Sequence, residues 1–259
     1  MNEKRLLIDI ETAPIEAYCW GIWQENIGLN QIKKDWHLLS FAAKWFGEKD
    51  VIYADQSKRR DMSDDTALLN QIHGLLDRAS VVIAQNGDSF DFPKIRSRMI
   101  HAGIDPPSPF RTVDTLRVAK RVFGFTSNKL AYISDHLNCK IRKDPHQEFP
   151  GFELWKECLK RNPIAWKVMR RYNIDDILTL EEVYLKMRPW IDRHPNMGIL
   201  GEFNGVVCPK CGSPRLQHRG YRANQTNKFK QYQCQACKGW SFARVGEYAT
   251  VKRKSQLGN

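Results

Sequence analysis

Two acids are spaced for chemistry almost at the start of the chain, within Arg5-Leu6-Leu7-Ile8-Asp9-Ile10-Glu11-Thr12. The apolar, β-friendly residues predict a buried strand, and side chains alternate along a strand. Asp9 and Glu11 therefore share one side, roughly 7 Å apart at the backbone. Two carboxylates held side by side in an apolar strand repel each other unless a cation neutralises them. Hard carboxylate oxygens suit Mg²⁺ or Mn²⁺. A strand end whose acids face water is the plainer alternative.

Further acids follow in related settings. Asn86-Gly87-Asp88-Ser89-Phe90-Asp91-Phe92-Pro93 comes directly after the apolar run Val81–Ala84. Asp91 would sit at the mouth of the next helix, where a capping role is as good an account as a catalytic one. The third setting is Tyr172-Asn173-Ile174-Asp175-Asp176. Residues four apart share a helix face, so Tyr172 and Asp176 can address one point. Asp175 and Asp176 could equally be solvated surface acids.

A second chemistry lies near the C-terminus, in Cys208-x2-Cys211 and Cys234-x2-Cys237, 22 residues apart. Two such turns can bring four thiolates to one tetrahedral Zn²⁺ at about 2.3 Å each, and Gly212 and Gly239 suit the turn after each pair. The site would be closed and structural. Cys19, Cys139 and Cys158 are scattered. The segment from Gly205 onward holds eleven Lys and Arg against Glu247 alone, so it carries +10 of the formal +12. Arg215, Arg219, Tyr221, Arg222, Lys228 and Lys230 interleave basic and aromatic types, with Trp240 and Phe242 beyond. That pattern suits nucleic-acid binding; the alternative is a small aromatic core with solubilising lysines.

The elements that must position these residues can be read in order. Strands are expected at His37–Phe46 and Val51–Ala54, joined by a turn at 47–50, with residues 14–36 irregular. A helix over Asp64–Arg78, capped by Ser63 or Asp64, precedes the strand Val81–Ala84. A helix follows from Phe92 to His101, then a strand at Thr112–Thr115 and a helix to Phe123. Short helices at Asn128–Leu137 and Glu153–Arg161 flank a polar loop at 140–150. One long helix covers Pro163–Ile191, with Asn162 as its cap. This order predicts an α/β layer fold with a mixed sheet. The boundaries expected are a main domain over 1–195, a zinc ribbon over 205–246 and a basic tail over 247–259.

Asp9-x-Glu11, Asn86-x3-Phe90-Asp91 and Tyr172-x3-Asp176 together resemble the three motifs of the DEDD 3′→5′ exonucleases of the RNase H-like superfamily. Tyrosine in the third motif resembles the DEDDy branch, which includes the proofreading domains of family B DNA polymerases. The residue four before Asp176 is not histidine, so the DEDDh variant does not apply. Asn128-Lys129-Leu130-x2-Ile133-x3-Leu137 is similar to the helix these domains carry before the third motif. The resemblance spans roughly residues 5–190. It implies an RNase H-like sheet flanked by helices, and Asp9, Glu11, Asp91 and Asp176 as ligands of two Mg²⁺ or Mn²⁺ ions. It implies Asp9 as the bridging ligand and Tyr172 as the residue that orients water. Phe90, Phe92 and Tyr18 either stack on terminal bases or belong to the core.

The expected function is metal-dependent 3′→5′ exonuclease action on DNA, at single-stranded 3′ ends. An RNA-processing exoribonuclease with the same chemistry and a non-catalytic nucleic-acid adaptor are the alternatives. The implied partners are nucleic acid, DNA ahead of RNA, and a polymerase or other replication or repair protein in trans. At 42% hydrophobic and 27% charged residues, the 259-residue chain can build a sizeable core. No apolar run approaches the roughly 20 residues of a membrane span, and no leader-like apolar region opens the chain. A cytoplasmic setting, with the cysteines reduced or metal-bound, is the resulting expectation.

Overall fold

The computed structural model describes residues 4–23, 26–141, 148–203 and 205–248. The chain divides into two compact units, residues 4–183 and residues 184 onward. Most of the loop expected at 140–150 and the basic residues Lys252, Arg253 and Lys254 lie outside the described residues.

The first unit opens with β1 (Arg5–Thr12), a short ribbon of β2 (Glu16–Ala17) and β3 (Ile32–Lys34), then β4 (Leu38–Trp45) and β5 (Ile52–Asp55). It continues through α1 (Thr66–Leu76), β6 (Val81–Ala84), α2 (Asp91–His101), β7 (Arg111–Asp114) and α3 (Thr115–Val122). Helices α4 (Leu130–His136), α5 (Glu153–Leu159) and the 25-residue α6 (Pro163–Met187) follow. Five strands form one mixed sheet in the order β5-β4-β1-β6-β7. β1 is central, antiparallel to β4 and parallel to β6.

The alternation along β1 decides where its acids go. Ile8 and Ile10 are buried on one face with Leu69 and Ile72 of α1 and Phe92 and Ile95 of α2. Full burial of each such side chain stabilises the fold by about 1.5–3 kcal/mol. A one-residue slip would drive Asp9 and Glu11 into that core, so the register is firmly set. The acids are left on the opposite face with Leu7. A second apolar cluster joins Leu39 of β4 to Leu154 and Cys158 of α5 and to Trp166, Met169 and Tyr172 of α6.

Several elements differ from expectation for identifiable reasons. α1 starts at Thr66, and the position before it is Asp65, whose side chain does not cap the helix. Its carboxylate is 2% exposed, pairs with Arg98 through Nε at 2.8 Å and Nη2 at 2.9 Å, and accepts the Leu38 N–H at 2.9 Å. A buried carboxylate is better satisfied by two guanidinium bonds and an amide than by one helix cap. α6 begins as expected, with Asn162 Oδ1 accepting the Ile164 N–H at 3.0 Å. It ends at Met187 and passes into a 3₁₀ turn at Arg188–Trp190, because Pro189 cannot continue the α-helical bonding.

The second unit holds α7 (Met197–Leu200) and an antiparallel three-stranded sheet in the order β10-β9-β8. Its strands are β8 (Leu216–Ala223), β9 (Lys228–Cys234) and β10 (Trp240–Phe242). Gly212 has φ +77, the left-handed turn expected after the first cysteine pair. After the second pair that conformation falls on Lys238 (φ +63) instead of Gly239. Gly239 is needed for space: a Cβ there would lie 3.0 Å from the Lys210 side chain and 3.3 Å from Cys237 Sγ. Among the described residues no helix is long and apolar enough to cross a membrane.

Candidate active site

β1 and α6 deliver three acids to one place. One carboxylate oxygen from each of Asp9, Glu11 and Asp176 lies within 4.8 Å of the others. Each of the two β1 acids is held by a neutral donor. Asn173, on α6, donates its amide Nδ2 to Asp9 Oδ2 at 2.6 Å and accepts the Ser40 hydroxyl at 3.1 Å. Asn173 and Ser40 are both fully buried, so this chain fixes which way the amide points. Glu11 Oε2 accepts the Trp155 indole N–H at 3.0 Å, and the same indole stands edge-on to the Tyr172 ring at 5.9 Å.

Asp91 is placed differently from the other three. It is the first residue of α2, only 2% exposed, and its Oδ1 accepts the Ile10 N–H at 3.1 Å. Burial pushes its carboxyl up to about 7, against the pull of that backbone bond. It adjoins β1 between the two acids of that strand, but it is not one of the three whose oxygens converge.

The converging acids open into a cleft of about 640 Å³ lined also by Tyr172, Phe90, Lys120 and Lys129. Asp176, not its neighbour Asp175, faces this cleft. Of the aromatics singled out from the sequence, Phe90 lines the cleft and Phe92 is buried in the core. Tyr18 is exposed and is not among the lining residues.

Three positioning residues escape the sequence reading. Asn173 and Trp155 have no local signature, since their partners lie 164 and 144 residues away. Asp114 is the third: its buried carboxylate accepts the N–H groups of Asn86 and Asp88 at 3.0 and 3.2 Å, and that of Leu116 at 2.9 Å. It ties the segment leading to Asp91 to the start of α3. An acid between the apolar end of a strand and a helix is a recognisable cap signal.

The cysteine cluster is equally well formed. Cys208 Sγ lies 3.7 Å from Cys237 Sγ, and Cys211 Sγ lies 3.7 Å from Cys234 Sγ. Bonds of about 2.3 Å at tetrahedral angles require sulfurs about 3.8 Å apart, so these two pairs have the spacing of a Zn²⁺ site, and all four sulfurs lie within 4.8 Å of one another. The six basic and aromatic residues expected to bind nucleic acid do not share one surface. Strand pairing puts Tyr221, Lys228 and Lys230 on one face of the ribbon and Arg222 on the other. Arg215 and Arg219 are exposed, beside the first cysteine pair and in the β8 irregularity.

A family model of the RNase H superfamily matches residues 6–188. The chain belongs to the RNase H superfamily. Its fold is similar to that in the structure of the family B DNA polymerase from the hyperthermophilic archaeon Pyrobaculum calidifontis, with a TM-score of 0.50 and 12% identity. The match covers 73% of this chain and 26% of the polymerase, so the chain spans about a quarter of that protein's length. No curated protein matches the chain in sequence. Membership of the RNase H superfamily supports nuclease action on nucleic acid, with divalent metal at the carboxylate cluster. The central strand of the mixed sheet carries Asp9 and Glu11, and α6 brings Asp176 to them.

Proposed function

We propose that the protein is a metal-dependent exonuclease that removes nucleotides from the 3′ ends of single-stranded DNA. The observation that carries this reading is the convergence of Asp9, Glu11 and Asp176 beside Tyr172 in one open cleft. Residues 1–195 would be the catalytic domain and residues 205–246 a zinc ribbon that grips the substrate. The proposed partner in trans is a polymerase or another replication or repair protein.

Asp9, Glu11, Asp91 and Asp176 would hold two Mg²⁺ or Mn²⁺ ions. When bound, such ions activate water and neutralise charge on the phosphate and the leaving 3′-oxygen. The chain's own groups supply the positioning. Asn173 holds the Asp9 carboxylate and Trp155 holds that of Glu11, so neither has to be ordered when substrate arrives. The Tyr172 hydroxyl orients the attacking water. It is a poor general base at neutral pH, since a tyrosine hydroxyl ordinarily titrates near pH ~10, so its contribution is alignment. Lys120 and Lys129 line the cleft and face substrate phosphates, and Phe90 offers a ring to the terminal base.

The test uses 5′-labelled DNA and RNA strands of matched sequence with Mg²⁺ or Mn²⁺. A descending ladder on DNA that vanishes in excess chelator is expected. Internal cuts, or release from the 5′ end, would overturn the polarity. Faster shortening of RNA would overturn the substrate, and intact strands under every condition would leave a nucleic-acid adaptor.

A further inference from the structure

The ribbon sheet has two unlike faces. On one, His218 packs edge-on against Tyr221 at 5.4 Å and Tyr232 at 5.7 Å, and the Lys228 ammonium sits 4.6 Å from the Tyr221 ring. These rings pack on one another, and although Tyr221 is 47% exposed, none of them lines the groove on the opposite face. On the other, Trp240 and Phe242 stand two residues apart on β10, opposite Gln233 and Gln231 of β9. The Arg222 guanidinium lies 4.5 Å from the Phe242 ring.

The second face forms one wall of a groove of about 600 Å³. Its other wall is the turn at Arg188–Trp190 and the segment after it, and both walls belong to the second unit. The groove holds Trp190, Trp240 and Phe242, which are 66%, 45% and 48% exposed, with Arg222 and Arg244 against Asp192. The walls are tied together: Lys210, inside the first cysteine pair, is buried and donates its ammonium to the Pro189 carbonyl. A groove that presents two indoles and a phenyl ring to solvent, with arginines beside them, is not built for water. Aromatic faces beside guanidinium groups match unpaired bases and their phosphates, whereas a duplex hides its base faces.

We propose that this groove, and not the Tyr221 face, is where the ribbon takes single-stranded DNA. Bases stack on Trp240 and Phe242, with Trp190 on the facing wall, and Arg222 and Arg244 meet phosphates. The assignment rests on the reading of the ribbon as a nucleic-acid-binding module, and it adds residues and a face that charge counting does not single out.

The test measures binding of labelled oligothymidylate by anisotropy at several salt concentrations. It uses the full chain carrying Asp9→Asn, with zinc content and circular dichroism recorded for every variant. Trp240→Ala is expected to weaken binding about tenfold with little change in the log-salt slope, because stacking releases no counterions. Trp240→Phe keeps a ring and should recover most of the affinity. Arg244→Ala, on an exposed side chain that does not threaten folding, should lower the slope by about 0.7, because one fewer phosphate is neutralised. Tyr221→Ala should stay within about twofold of the parent, since it removes no ring from the groove. The proposal is overturned if Trp240→Ala and Arg244→Ala both bind like the parent, if Tyr221→Ala weakens binding as much as Trp240→Ala, or if oligothymidylate does not bind at all. Tighter binding of oligouridylate would overturn the choice of DNA. Because binding is read without turnover, an enzyme that binds normally but never cleaves would sink the exonuclease reading alone.

Discussion

The carboxylate cluster and the cysteine cluster hold mutually repelling ligands together by opposite routes. The four thiols come as two local pairs, each on a single turn, and strands β8 and β9 suffice to bring the pairs together. The acids come from a strand and from a helix, and the hydrogen bond that orients Asp9 spans 164 residues of sequence. A local site can be organised by its metal, whereas a site of distant residues exists only once the whole sheet and its helices have packed. The second difference is access. Two pairs of sulfurs already lie at the spacing of a filled tetrahedron, while the acids line an open cleft. On the proposed function one cluster stabilises and the other reacts, so loss of metal should unfold one and merely silence the other.

The sharpest way to break that contrast is Asp9→Ala. Removing a carboxylate proposed to hold the metal should cut turnover at least about 10³-fold, more than the usual effect of deleting a single oxyanion donor. The fold should survive, since Ile8 and Ile10 set the register of β1 and Asp9 does not. Thermal melting within a few degrees of the parent, with product release abolished, is the expected result. Appreciable turnover in this variant or in excess chelator would rule out metal catalysis at this cluster.

Tyr172→Phe should rank next. The ring keeps its edge-on packing with Trp155 and only the hydroxyl is removed. A positioned proton-handling or water-orienting group contributes about 10²–10⁴-fold, and the deficit should appear in kcat at saturating substrate. An unchanged kcat would reduce Tyr172 to a packing residue of the α5–α6 cluster.

The same contrast explains what is legible in the sequence. The cysteine pairs, the paired acids of β1 and the order of strands and helices depend on short-range spacing, and the mixed sheet follows from that order, whereas the RNase H superfamily enters through the resemblance of the three acidic motifs and is shown by the family match. Asp176 can be placed on a helix face with Tyr172 but not separated from Asp175 without the tertiary packing that turns one of them to the cleft. Asn173 and Trp155 act only through partners brought close by folding, so no local pattern marks them. Ser63 and Asp64 read as caps of α1, yet the helix starts after Asp65, whose buried carboxylate is taken by Arg98 instead. The two faces of the ribbon cannot be told apart by composition for the same reason: interleaving says nothing about which residues strand pairing puts together.

Asn173→Ala sharpens the comparison at the level of metal affinity. The amide that orients Asp9 is removed and the buried Ser40 hydroxyl is left without this acceptor. Stability should fall by about 1–3 kcal/mol for the group left unsatisfied. The Mg²⁺ or Mn²⁺ concentration for half-maximal activity should rise about 10–100-fold, with much of kcat recovered at saturating metal. A fall in melting temperature with no shift in metal dependence would make Asn173 a core residue and nothing more.

The smallest effect on chemistry should come from the ribbon. Its four thiols suit one Zn²⁺ and leave no open coordination position, so it supplies no reacting group. Its formal +10 becomes about +8 once four thiolates and Zn²⁺ are counted, still enough to meet several phosphates and release their counterions. Deleting residues 205–259, or replacing Cys234 by Ser so that the metal is lost, should weaken binding to long strands and flatten the dependence of affinity on log salt. Saturating turnover on a short oligonucleotide should change by less than about twofold, because every acid of the cleft lies within the first unit. An unchanged salt slope would remove the ribbon from substrate binding. A collapse of short-substrate turnover in a truncated protein that keeps its circular dichroism would mean that the ribbon takes part in the chemistry, and the division between a stabilising and a reacting cluster would fall.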